Sequence, residues 1–139
     1  MKGEVIMAEG IQEVYEFLKK VPYYLATEDG DQPRVRIFGT VNVFEGKLYI
    51  QTGKSKDVYK QLVKNPNAEI CAFADGQWLR VWGPMVPDER PEANDDMLDK
   101  YPNLKDRYQT GDGNMIVLYF EHATAKFESF TSEPRVIEF

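Results

Sequence analysis

Arg34 and Arg36 stand two residues apart in QPRVRIFG, and farther along the run TGKSKD places Lys54 and Lys56 on either side of Ser55. Residues two apart on a strand leave the same face about 7 Å from each other, so the two guanidinium groups repel unless something negative lies between or beside them. One source of negative charge is local, because Glu28, Asp29 and Asp31 occupy the preceding turn. Exposed pairing of that kind is common and contributes little to stability. The other source is a bound anion.

The lysine run bears on this choice. Ser55 is a good N-cap for an amphipathic helix carrying Val58, Tyr59, Leu62 and Val63. A helix start offers free N–H groups and partial positive charge, which normally draws acidic side chains into its first turn. Here Lys54 precedes the cap and Lys56 follows it. Lysines disfavoured by the dipole become sensible if a phosphate binds there, with the Thr52 and Ser55 hydroxyls and nearby backbone N–H groups donating to it. A solvated lysine pair, with Asp57 as the partner of the dipole, is the alternative. The two runs are read as strands joined at Glu45-Gly46 and therefore as antiparallel neighbours, with the arginines and the helix start toward the same end. Their convergence favours an anion seat.

The elements that must position these residues follow from periodicity. Ile11, Val14, Tyr15, Leu18 and Val21 predict an amphipathic helix over 9–21, ending before Pro22. Strand signals cover 23–27, 34–44, 47–51, 68–74, 77–86, 115–121 and 123–130, mostly separated by Gly-containing turns. Within 34–44, Val35, Ile37, Gly39, Val41 and Val43 share one face. Ala93, Met97, Leu98 and Tyr101 predict a third helix before Pro102, with a short continuation over 104–108 and an extended tail after residue 130. Strands joined by hairpins and flanked by a few helices predict an antiparallel barrel of the α+β kind.

Composition narrows the function classes. The 139 residues are expected to form one domain, 1–139, around one core. No apolar run approaches the ~20 residues of a membrane helix, and MKGEVIMAEG lacks a signal-peptide apolar core, so no membrane association and a cytoplasmic location are expected. The net charge of −6 argues against general nucleic-acid binding. One cysteine, Cys71, and one histidine, His122, provide no zinc-ligand cluster, and no metal is expected. Cys71, in AEICAFA, reads as a buried inert thiol, and His122 as a partly buried structural residue. Trp78, Arg80 and Trp82 share a strand face, with Arg80 stacked between the indoles, at an interface, or with an indole lining a partner's cleft. Tyr23, Tyr24 and Phe38 read as barrel packing.

PRVRIFG, then LYIQTGKSK leading into a helix that ends NPNAEI, resembles the flavin-binding split-barrel family related to pyridoxamine 5'-phosphate oxidase. QWLRVWG, the helix after RPEAN, and FESFTSEPRVIEF are similar to its small bacterial members grouped with nitroimidazole-resistance proteins. The resemblance spans nearly the whole chain. It implies a mostly β, α+β fold: a six-stranded antiparallel split β-barrel with flanking helices, forming a homodimer with FMN in clefts at the subunit interface. Carried over by position, Arg34 and Lys56 match phosphate-binding cations, Val35, Arg36 and Ile37 match the strand beside the isoalloxazine, and Gln51 and Thr52 match positions reaching the ring edge or ribityl phosphate. With Ser55 from the helix start, these are the expected cofactor-binding residues.

Two departures limit the transfer of activity. Gly39 stands where the oxidase has a lysine, and the C-terminal pieces that hold its pyridoxal phosphate have no counterpart, so that oxidase activity is not expected. No histidine lies near the flavin motif. The resemblance implies an FMN-dependent oxidoreductase that takes electrons from a nicotinamide donor and passes them to a small organic acceptor, the cofactor supplying the chemistry. No catalytic residue is assigned. The alternatives are a non-catalytic flavin carrier, sensor or stress-response module, or a deazaflavin or haem binder on the same barrel.

Overall fold

The computed structural model describes residues 2–139, with side chains from Gly10 onward; Met1 and the side chains of 2–9, part of the segment screened for a signal peptide, lie outside the described residues. Helix α1 (Lys2–Leu18) turns Ile11, Val14, Phe17 and Leu18 into the core. It begins earlier than the periodicity predicts, and its last turn closes through Lys20 N–H donating to Phe17 O. Among the described residues, no helix is long and apolar enough to cross a membrane.

Nine strands form an open, antiparallel sheet: β1 (Tyr23–Asp29), β2 (Gln32–Phe38), β3 (Asn42–Phe44), β4 (Lys47–Gly53), β5 (Asn67–Ala74), β6 (Gln77–Asp88), β7 (Met115–Phe120), β8 (Thr124–Ser129) and β9 (Arg135–Glu138). Their order is β2-β1-β5-β6-β7-β4-β3, with β8 on β6 and β9 on β8. With α2 (Asp57–Lys64) and α3 (Pro91–Lys100), this is the expected β-rich α+β split barrel, with the sheet left unclosed. The strand β6 holds its two parts together. Its first half pairs with β5 and β8, and its end, Met85–Asp88, pairs with β7.

The run expected as one strand over 34–44 is two. β2 pairs only with β1, and β3 pairs only with β4, so the arginine strand is not the hairpin neighbour of β4. Tyrosine hydroxyls hold the intervening backbone where a ladder would have done so. The Tyr23 hydroxyl donates to Thr40 O, while the Tyr101 hydroxyl accepts from Val41 N–H and donates to Val41 O, both at 3.1 Å. Buried backbone polar groups thus find partners without a neighbouring strand.

A second fastening joins β6 to β4. The Tyr49 hydroxyl donates to Asp88 Oδ2 at 2.7 Å, and Arg90 grips the same carboxylate through Nε at 3.1 Å and Nη2 at 2.9 Å. Arg90 Nη2 also reaches Glu45 at 2.7 Å. The Arg90 hydrogen bonds hold the Asp88 carboxyl below its ordinary value although burial opposes them, and burial together with Asp88 pushes the Tyr49 phenol up.

Because the Asp88 pKa is lowered on folding, its contribution is complete above the ordinary carboxylate value, near about 3.9, and fades as pH falls through the folded value. Asp88→Asn should therefore cost about 1–3 kcal/mol at pH 7. In thermal unfolding across pH, the gap between variant and parent should narrow below about pH 4; a gap that stays constant to acid would contradict this role for the ionised carboxylate.

Candidate functional site

An open cleft of about 780 Å³ lies between β2, the start of α2 and the end of β4. Arg34, Val35, Arg36, Ile37, Gln51, Thr52 and Lys56 all line it, with Asp57, Val58, Gln61 and Tyr108. The expected convergence is present, reached by a different route. β2 and β4 face one another across the gap between the two parts of the sheet rather than through a shared hairpin.

The cations differ in what holds them. Arg34 Nε donates to Asp29 Oδ2 at 3.2 Å, so the turn pairing is real, and the side chain remains half exposed. Arg36 lies deeper and donates to neutral acceptors: Thr27 Oγ1 at 2.7 Å, Gln61 Oε1 at 2.8 Å and Leu25 O at 3.3 Å. Burial lowers its pKa; Asp57 acts in the opposite direction and Arg34 in the same one. Lys56 is exposed at the N-cap of α2. Among the described residues, neither Arg36 nor Lys56 makes an ion pair with a carboxylate. Gln51 and Thr52 form a buried floor, where Gln51 N–H donates to Thr40 Oγ1 at 3.2 Å.

The helix start departs from expectation. Lys56, rather than Ser55, is the N-cap, and no side chain caps the helix. Ser55 is exposed and outside the cleft lining; its N–H donates to Asn114 Oδ1 at 3.0 Å. The N–H groups of Lys54 and Lys56 donate to Asn114 O at 2.7 Å and Gly53 O at 3.0 Å, so these three amides are already used. Lys54 pairs with Glu89. The TGKSK run therefore contributes Thr52 and Lys56 to the cleft, and its other polar groups to the loop carrying Asn114.

That loop was not visible as part of a site. A Cβ on Gly53 would lie 3.1 Å from a Tyr108 ring carbon and 3.0 Å from the Asn114 amide, so the absence of a side chain lets residues 108–114 close against the end of β4. The sequence reading also missed Thr27 and Gln61. The available signal was polarity: Thr27 is a polar residue in the buried register of β1, and Gln61 is a polar residue beside the buried Leu62 of α2.

Away from the cleft, several expectations change. Cys71 is exposed on the outer face of the sheet, with burial of part of its thiol pushing it up. His122 is exposed and lies 3.3 Å from Glu138. Arg80 is flanked by Glu69 at 2.9 Å and Glu128 at 3.6 Å rather than stacked between indoles, and Trp78 donates to Glu128. Tyr23 is buried and packs near Phe38, but Tyr24 is 52% exposed. Among the described residues, no group of three or more His, Cys, Asp or Glu side chains could hold a metal ion.

The open sheet, the bridging strand β6 and the cleft at the gap are those of the pyridoxamine 5'-phosphate oxidase-like split-barrel fold. A NimC/NimA family protein from Clostridium acetobutylicum is 38% identical, with a TM-score of 0.93 over 98% of this chain and 96% of that one. The chain belongs to the NimC/NimA family. At the level of fold alone it is similar to General Stress Protein 26 from Bacillus anthracis, at 17% identity and a TM-score of 0.72 over 95% and 98% of the two chains. It is likewise similar to a pyridoxamine 5'-phosphate oxidase-related, FMN binding protein from Nostoc punctiforme, at 12% identity and a TM-score of 0.55 over 99% and 95%. No family model and no curated protein matches the chain.

Proposed function

We propose that the cleft binds FMN through its phosphate and that the protein is a flavin-dependent oxidoreductase, passing electrons from a nicotinamide donor to a small organic acceptor. The observation that carries this reading is the pair of cations, Arg36 and Lys56, facing one cleft without a carboxylate partner in an acidic chain. Such charges fit a phosphate dianion, which takes charge-assisted hydrogen bonds from guanidinium and ammonium groups. The similarity to an FMN binding protein of the same fold supports the choice of anion. FMN, when bound, supplies the hydride and electron transfer. Arg34, Arg36 and Lys56 hold its phosphate, and buried Gln51 and Thr52 orient the rest of the cofactor.

A homodimer belongs to the same reading. Strand pairing places Tyr24 opposite both Ile37 and Cys71, Ala26 opposite Val35, and Phe73 opposite Trp78, so these side chains share the outer face of one sheet. Val35 is 67% exposed, Ile37 64% and Phe73 63%. An exposed apolar patch bordered by charged residues, here Glu69 and Arg80, is a mark of an interface, and a second copy covering it would sit at the rim of the cleft that Val35 and Ile37 also line.

The cations of the cleft account for holding an anion, and no residue of its lining is assigned a role in electron transfer. A flavin carrier, sensor or stress-response module is therefore the second reading, and the fold of General Stress Protein 26 points the same way.

Purified protein titrated with FMN should turn yellow and quench tryptophan fluorescence. Lys56→Ala and Arg34→Ala should each weaken FMN binding by about 1.5–3 kcal/mol, or about ten- to a hundredfold. Parental affinity in both folded variants would move the phosphate elsewhere. Under anaerobic conditions, NADH or NADPH should bleach the bound flavin, and a nitro compound or quinone should restore its colour; colour that persists with every donor leaves the carrier. In light scattering the parent should have the mass of two chains, and Phe73→Glu, remote from the cleft, should shift it toward one. A parent with the mass of one chain sinks the dimer.

A further inference from the structure

Arg36 is braced in a way that the other cleft cations are not. Its Nη1 donates to Thr27 Oγ1 at 2.7 Å and its Nη2 to Gln61 Oε1 at 2.8 Å, while the Thr27 hydroxyl donates to the same Gln61 oxygen at 2.6 Å. The three side chains close a ring of hydrogen bonds across β1, β2 and α2. Thr27 is only 3% exposed, so the ring is anchored in the interior. Both side-chain acceptors are neutral. Two residues away, Arg34 spends one donor on the carboxylate of Asp29.

A carboxylate in place of the Gln61 amide would hold the guanidinium equally well, and would also cancel its charge. With an amide, the orientation is fixed and the charge remains available, the condition for electrostatic preorganisation toward an incoming anion. We propose that Gln61 and Thr27 are positioning residues for cofactor recognition: they aim Arg36 into the cleft with its charge uncancelled, so that the site selects a flavin bearing a phosphate monoester over the same flavin without one. This rests on the FMN reading given above and goes beyond it, since neither residue need touch the cofactor.

The test compares FMN with riboflavin, which shares the ring and ribityl chain but has no phosphate. Affinities for both are measured by fluorescence titration of the parent, Gln61→Glu and Gln61→Met, alongside thermal unfolding. Glu matches Gln in size and helix preference, and a Glu–Arg pair preserves the bracing, so the melting temperature should not fall. FMN affinity of Gln61→Glu should drop about ten- to a hundredfold, while riboflavin affinity changes by less than about twofold. Gln61→Met, which removes the acceptor without adding charge, should show a smaller loss confined to FMN; it decides the matter alone if Gln61→Glu does not fold. FMN binding at parental strength in the folded variants, or equal losses for both flavins, overturns the proposal and leaves the FMN reading standing. A parent that binds no FMN overturns both, and shows it before any variant is made.

Discussion

Charge left uncancelled is the constraint that the rest of this structure serves. The chain carries 23 acidic residues against 17 lysines and arginines, so a partly buried cation without an acidic hydrogen-bond partner requires explanation. Near the cleft, Glu89 pairs with Lys54, Glu45 and Asp88 pair with Arg90, and Asp29 takes one donor of Arg34. Arg36 is instead enclosed by a hydroxyl, an amide and a backbone carbonyl. Desolvation costs a half-buried guanidinium free energy that neutral acceptors offset only in part. The arrangement is stable because Thr27 is locked in the buried register of β1 and Gln61 in helix α2, so the acceptors are already in place.

The cleft owes its existence to the interruption at residues 39–41. Had residues 34–44 run on as one strand paired to β4, the arginines would have lain within a continuous sheet, leaving no gap at that point. Instead the chain leaves β1's side of the molecule and joins β4's, and the backbone groups exposed by the crossing are taken by the hydroxyls of Tyr23 and Tyr101. Tyr101 follows α3 and Tyr23 opens β1, so two distant segments hold the edge of the cleft. The Asp88–Arg90–Tyr49 fastening does the corresponding work where β6 passes to the other part of the sheet.

Most elements were legible because their periodicity is local. The amphipathic face of α1, the hairpins at Gly30 and Gly76 and the burial alternation of β5 can all be read from neighbouring residues. The split of the 34–44 run was not, because Gly39-Thr40-Val41 continues the alternation in sequence while being held by tyrosines distant in the chain. At the site, Arg34, Arg36, Thr52 and Lys56 were legible through charge and spacing. Ser55 was expected as the N-cap of α2, a position that Lys56 holds, while the Ser55 amide goes to Asn114, remote in sequence. Gln61 and Thr27 gave only a weak local sign, a polar residue in the buried register of a strand and another beside a buried leucine, whose meaning depends on the guanidinium found between them. Cys71 and Tyr24 read as buried because β-branched and aromatic neighbours usually mean core, whereas here both lie on an outward sheet face that is exposed in the single chain.

That uncovered face and the cleft meet on β2. Alternation sends Val35 and Ile37 to the outer face and Arg34 and Arg36 to the opposite one, so a single strand carries both surfaces. β2 ends the strand order and has β1 as its only ladder partner, which leaves its other edge without the hydrogen bonds that would stiffen it. Two things brace it from the cleft side: the Arg36 ring, which ties it to α2, and the Arg34–Asp29 pair across its own turn. Anything that packs on Val35 and Ile37 braces it from the other side. The arginines and the outer-face Val35 and Ile37 thus share one backbone segment. An anion in the cleft and a surface against the outer face would therefore act on the same strand from its two sides.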